Sequence, residues 1–423
     1  MWDSVKVLAK NIFWGLVLIL IISNSGVPSQ KFREIVRVET RWIEFDYVSW
    51  TIETFWRKAA QISLGSHRYM DEDQQKQVVE EYFGLINHQR EVREKINSIY
   101  SDPTIPNPQD IALPFLEEQR QIQEDLMHIA YLFEAIIQNQ VSYSTSVTQL
   151  GVLKQPVPPV QFHTTSMPYA LIVSPRDVIR QDADVSLLPN LTLDQIDALE
   201  KQVQEKLDVS ALVVQIGGVG VYPTMVMETS YLTWLTEVVA HEWIHNFLTL
   251  RPLGMLYNQT AELRTINETT ASIAGKELGS LVIEFFYPIF RPRPVVENDI
   301  DNKVMGIVED QPPIFDFRAE MRETRVTVDA MLEEGSIEEA ELYMEQRRQL
   351  FVENGYQIRR LNQAYFAFHG AYADQPGGAA GEDPVGEAVR NFRAQSSNLA
   401  EFVRRIAWVT SFEGLIQLFE SSQ

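Results

Sequence analysis

Thr229-Ser-Tyr-Leu-Thr-Trp-Leu-Thr-Glu-Val-Val-Ala-His-Glu-Trp-Ile-His-Asn-Phe-Leu248 is the stretch on which the reading of this chain turns. Its apolar residues recur at helical spacing. Within it stand His241, Glu242 and His245 in the order His-Glu-x-x-His. Two His four positions apart lie one turn above each other on the same helix face, so both imidazoles can reach one ion. Glu242, directly after the first His, is angled to reach a water in the open position of an ion held there. The chain has only 7 His, and composition alone would produce this pattern in roughly one such chain per hundred. Val238, Val239, Ala240, Trp243, Ile244, Phe247 and Leu248 make the rest of the helix apolar. Two His and a Glu in such a setting are costly to bury unless a metal or hydrogen bonds satisfy them.

A catalytic zinc takes three protein ligands and keeps a position open. The extended pattern with a third His downstream is absent, because Leu248 stands where its Gly would be and Arg251 where that His would be. Glu268 lies 23 residues after His245, in Ile266-Asn-Glu-Thr-Thr-Ala-Ser272, beyond a turn containing Pro252 and Gly254. In these residues the chain resembles the gluzincin class of zinc metallopeptidases, with His-Glu-x-x-His on one helix and an Asn-Glu motif on the next. The resemblance implies one Zn2+ per chain held by His241, His245 and Glu268, with Glu242 as the acid and base of peptide hydrolysis. Further on, Leu361-Asn-Gln-Ala-Tyr365, Tyr372, Phe392 and Leu399-Ala-Glu-Phe402 are similar to a bacterial family of predicted aminopeptidases, over roughly 213–415. In better-known gluzincins an Asp four residues after the Glu ligand orients the first His. Ser272 occupies that position here, which leaves Glu237 and Glu277 as candidates to hold the outer N–H groups of the imidazoles.

Peptide hydrolysis also needs a donor for the oxyanion besides the metal. Tyr365, His369 and Tyr372 read as one helical segment, with the two Tyr seven apart on one face and His369 between them, and this segment is expected to supply the donor. Ala211 to Ile216, Gly217-Gly218 and Val219 to Met227 read as a hairpin or a bent edge strand, and the part from Val213 to Met227 could take an extended substrate backbone as an added strand. Gly217, Gly218 and Gly220 would permit the close approach.

The 58 acidic against 36 basic residues, a net charge of −22, exclude a nucleic-acid binder, which needs a basic footprint. With 0 Cys the chain has no disulfide, no thiol nucleophile and no thiolate ligand. Ile12 to Ile22 is uncharged and apolar. Together with the residues before Lys10 it approaches membrane-spanning length. The expectation is a single-pass membrane protein with its catalytic part outside the cytoplasm, or a secreted one if the segment is a cleaved signal.

The expected fold is α+β and mostly helical. A membrane or signal segment (1–30) precedes a helical extension (31–154), which is followed by a catalytic domain (155–423) with a small sheet ahead of the His241 helix and a zincin-like core. Long helices are expected over Gln74–Tyr100 and Phe115–Val141, and four or five helices after Pro313. The expected partners are a peptide or protein substrate and, through the N-terminal segment, a membrane. Two other readings compete: a membrane-tethered helical scaffold with a degenerate site, and a zinc hydrolase acting on something other than a peptide.

Overall fold

The computed structural model describes residues 31–101, 107–151, 155–288, 315–375 and 377–420. Ile12–Ile22 and the Arg291–Pro313 connection lie outside the described residues.

The first third is helical. Helix α1 (Lys31–Thr40) and α2 (Tyr47–Leu64) lead into the long pair α3 (Glu72–Ser101) and α4 (Pro108–Val147). The last two match the expected periodic segments and run antiparallel. Tyr82 stacks on Phe133 at 3.8 Å between ring centroids, while Lys95 near the end of α3 lies over Phe115 near the start of α4.

Six strands and one helix follow. Strands β1 (Phe162–Thr165), β2 (Tyr169–Pro175) and β3 (Ala183–Leu187) precede α5 (Leu193–Leu207), and β4 (Val209–Gln215), β5 (Gly218–Val219) and β6 (Thr224–Met227) come after it. Thr192 caps α5 with a capping box shared with Gln195. The strands form two small sheets, ordered β3-β2-β4 and β1-β6-β5. The expected hairpin or bent edge strand over 211–227 is met in part: β5 and β6 form a hairpin and β4 and β5 are both edge strands, but the chain switches sheets between β4 and β5. β4 pairs antiparallel with β2, whereas β5 pairs antiparallel with β6 and β1 pairs parallel with β6. The first five residues of β4 are all buried, which suits a strand covered on both faces better than one arm of a hairpin.

Helix α6 (Leu232–Leu248), the short α7 (Pro252–Met255) and α8 (Ala261–Phe286) carry the residues singled out above. Six helices close the described chain rather than four or five: α9 (Phe317–Glu333), α10 (Ile337–Glu353), α11 (Gln363–His369), α12 (Pro384–Gln395), α13 (Leu399–Ile406) and α14 (Phe412–Glu420). One apolar core runs from Val78 and Phe133 through Leu235, Val239 and Leu278 to Phe402 and Leu415, so α3 and α4 are packed into the same core as α6 and α8. The protein is thus mostly helical α+β with a small amount of sheet, as expected.

The expectation of a single-pass membrane protein is corrected. Among the described residues no helix is long and apolar enough to cross a membrane. Even α4, with 40 residues, is broken up by charges such as Glu117, Glu118, Arg120, Glu124 and Asp125.

Candidate metal centre

Helix α6 buries Leu235, Val239, Trp243, Ile244, Phe247 and Leu248 in the core, and Trp243 donates its indole N–H to the Pro158 carbonyl at 2.7 Å. That anchoring turns the His241 and His245 face toward α8. The two helices meet nearly backbone to backbone. A Cβ at Gly275 would lie 2.9 Å from His241 Cβ, and one at Gly279 would lie 2.8 Å from the Glu237 nitrogen. These two glycines, one turn apart, let α8 come close enough for a carboxylate two to three turns upstream to reach the imidazoles.

Three atoms converge there. His241 Nε2 and His245 Nε2 are 3.0 Å apart, and Glu268 Oε2 lies 3.6 Å from the first and 3.5 Å from the second. Ligands about 2.0–2.1 Å from a tetrahedral zinc stand about 3.3 Å from one another, so the observed triangle is close to one face of such a site. The remaining bonds of Glu268 support the same point. It is 4% exposed, and its Oε1 accepts a hydrogen bond from the Tyr257 hydroxyl, while its Oε2 is buried with no hydrogen-bond partner. A buried carboxylate oxygen left without a donor is costly, and a cation among the three atoms would satisfy it. This buried group could therefore hold a metal ion.

The outer atoms of the imidazoles are also held. His245 Nδ1 is 2.8 Å from Asn267 Oδ1, and the Asn267 amide is oriented by donating to the Leu253 carbonyl at 3.2 Å. Asn267 thus presents its oxygen and accepts the His245 Nδ1 proton, which leaves Nε2 as the ring nitrogen that faces Glu268 and His241. His241 Nδ1 faces Ser272 Oγ at 3.5 Å, a far weaker hold. Glu277 does not take part, because Arg393 binds its two oxygens at 2.7 and 2.8 Å. Glu237 faces a neighbouring cleft.

The electrostatics match the geometry. Burial opposes ionisation of Glu268, but the charge of His245 and the close approach of both imidazoles outweigh it and hold the carboxyl well below its usual range. Burial likewise opposes charging of His245, yet Glu268 and then Glu242 outweigh it and lift the imidazole to about 9.

Glu242 is 7% exposed and lies under β5, where a Cβ at Gly218 would sit 2.5 Å from its Oε1. A Cβ at Gly220 would crowd His245 Cβ at 3.1 Å and touch Glu242 Oε2 at 3.4 Å. Glycine is required at 218 because any side chain would displace the carboxylate. Burial pushes the Glu242 carboxyl up, with His241 and His245 pulling the other way and Glu268 adding to the rise. A cleft of about 450 Å³ opens over these groups, walled by β5 and by Tyr257, Arg264, Phe368 and Tyr372.

The three residues expected to share a helix face part company. Helix α11 ends at His369, and Gly370 follows where a Cβ would run into the Phe366 and Ala379 carbonyls, so Tyr372 lies beyond the helix end. Tyr372 does line the cleft, with its ring 6.3 Å from that of His241. Burial of its phenol, then the charge of Glu268, raises its pKa well above 10. Tyr365 and His369 point elsewhere and pack against each other, with ring centroids 4.3 Å apart and the planes tilted by 44°. Burial lifts the Tyr365 phenol to about 12 and lowers the His369 imidazole to about 4. Neither is among the residues that line the cleft.

Sequence reasoning did not anticipate Tyr257, Arg264 or the roles of Asn267, Gly275 and Gly279. Arg264, itself 9% exposed, donates to the Tyr257 hydroxyl at 3.4 Å and to the Ala367 carbonyl at 2.9 Å, and so braces the tyrosine that holds Glu268. The spacing of Gly275 and Gly279 was a visible signal of a close helix crossing. Nothing in the sequence marked Tyr257. No family model, curated protein or solved structure matches this chain.

Proposed function

We propose that this protein is a zinc-dependent peptidase of the gluzincin kind, with a zincin-like core in which His241, His245 and Glu268 hold the metal. The observation that carries the reading is the convergence of two imidazole nitrogens and an otherwise unpartnered, buried carboxylate oxygen at one point beside Glu242. Zinc suits this set because the donors are two nitrogens and one oxygen, the chain has 0 Cys, and the cleft leaves a further position open. When bound, zinc lowers the pKa of a water and polarises a carbonyl.

The remaining chemistry falls to the chain. Glu242, with its pKa raised by burial, takes the proton of the attacking water and passes it to the leaving amine. The open edge of β5, kept bare of side chains at Gly218, accepts the substrate backbone as an added strand above Glu242. Tyr372, with a phenol that stays protonated at neutral pH, is placed to donate to the oxyanion. Asn267 keeps His245 in the tautomer that ligates, and Tyr257 with Arg264 holds Glu268.

The test is a digest of a peptide library by the full chain loaded with zinc, beside Glu242→Gln. Cleavage by the wild type that is lost in Glu242→Gln supports the reading. Zinc-loaded wild type that leaves every peptide intact would remove it and favour a zinc hydrolase acting on something other than a peptide.

A further inference from the structure

The face of α6 that presents His241 and His245 continues upstream. Trp234, Glu237, His241 and His245 follow one another at spacings of three and four along the helix, so they form one stripe. The upstream half of that stripe lines a second cleft of about 360 Å³, which shares Gly218, His241, Glu242 and Tyr372 with the first and so continues it past the metal centre. Its wall is apolar and aromatic, formed by Trp234, Val238, Phe368 and Ile216. Gly217 lies flat against the indole, where a Cβ would come within 2.7 Å of Trp234 Cζ2, so the ring is held in place.

Three charged side chains besides Glu242 face this cleft: Glu237, Lys276 and Asp374. Lys276 and Asp374 are bonded to each other and cancel. Glu237 is half-buried and makes no hydrogen bond or ion pair among the described residues. Burial raises its pKa, with Lys276 pulling the other way, as expected of a carboxylate short of a positive partner. A lone carboxylate beside a fixed indole, in a cleft that opens on the reacting centre, suits a cation carried on an apolar stem.

We propose that this cleft is a subsite for a cationic group of the substrate, held by Glu237 against Trp234 next to the bond that is cut. The inference rests on the peptidase reading for the identity of the substrate as a peptide. A lysine or arginine side chain and a free α-amine share the required chemistry.

The test uses the full chain carrying Glu242→Gln, so that peptides bind without turnover, and isothermal titration with three pentapeptides of otherwise identical sequence. One is blocked at both ends with a central lysine. The second is blocked with norleucine in its place, and the third is the norleucine peptide with a free amino terminus. The lysine or the free-amine peptide is expected to bind about tenfold more tightly than the blocked norleucine peptide. Adding Glu237→Gln is expected to remove that preference while leaving the norleucine affinity unchanged. Which of the two is favoured identifies the cation as side chain or terminus. Three peptides that bind alike or not at all, or a preference that survives Glu237→Gln, overturn the subsite. Zinc content measured on the same preparations keeps the two readings apart. A chain without zinc that shows the Glu237-dependent preference keeps the subsite and loses the peptidase, and a zinc-loaded chain without the preference does the reverse.

Discussion

Two buried clusters in this protein are made of the same chemistry, imidazole and carboxylate, and they end differently. Around Glu134 every bond is closed. Its Oε1 accepts from the Thr164 backbone at 2.9 Å, from the Thr164 hydroxyl at 3.0 Å and from His163 Nδ1 at 2.7 Å, while its Oε2 pairs with Lys58, itself 2% exposed and bonded to Gln61 at 2.9 Å. Around Glu268 one oxygen is held by Tyr257 and the other meets two imidazole nitrogens with no donor assigned to it. The first cluster is complete and ties α2 to α4 and β1. The second leaves one carboxylate oxygen over, and a cation held there would close it. Composition would score the two alike, and what separates them is the atom left over.

The largest effect that sharpens the contrast is on catalysis. Glu242→Gln is expected to lower peptide hydrolysis by about 10²–10⁴-fold while zinc content stays at the wild-type value, because the carboxylate moves protons and does not ligate. Equal loss of zinc and activity would mean that Glu242 belongs to the metal-holding group.

Next comes stability, and here the closed cluster should respond. Glu134→Gln leaves Lys58 buried without its counter-charge, so denaturant unfolding is expected to show a loss of about 3–5 kcal/mol, with zinc binding unchanged. The pH dependence has a definite sign. Burial opposes ionisation of Glu134, but Lys58 and then His163 outweigh it and bring its pKa down to about 2. A folded-state pKa below the unfolded value gives stability that is present above the ordinary carboxylate range and lost as pH falls toward 2. The gap between wild type and Glu134→Gln in denaturation midpoints should therefore shrink from pH 6 to pH 3. A gap that is constant or widening over that interval would contradict the assignment.

Smaller effects test the outer contacts of the two imidazoles. Asn267→Ala frees the His245 ring and is expected to weaken zinc binding by about 10–100-fold, read by competition with a chelating dye. Ser272→Ala removes only a contact at 3.5 Å, at the limit of a hydrogen bond, so its effect on the same measurement should stay under about 1 kcal/mol. The reverse order would mean that Ser272, not Asn267, orients the site.

How much of this could be read beforehand follows from the range of each signal. The helix from Leu232 to Leu248, its two His and the neighbouring Glu242 were legible because their relation is local and set by 3.6-residue geometry. Glu268 was reached through resemblance, since a contact between helices leaves no spacing rule. Asn267 stood in the same quoted motif, but its bond to His245 depends on how α6 and α8 cross, which Gly275 and Gly279 decide. The sheet switch after Gln215 was not legible, because Val209–Gln215 suits a strand in either sheet. Helix periodicity was extended from Tyr365 to Tyr372 past Gly370, a residue that commonly ends helices, and the grouping of Tyr365 and His369 with the cleft came from that extension. Ala183–Leu187 carries little strand signal in the sequence, because its five residues include an Asp and a Ser.

Zinc per chain, measured by elemental analysis on the full chain purified without added metal, tests the central claim most directly. The comparison sets wild type beside His245→Ala and Glu242→Gln. The account predicts about one zinc in the wild type and in Glu242→Gln and none in His245→Ala. Absence of zinc from all three, even after it is offered back, or equal zinc in His245→Ala, would contradict it.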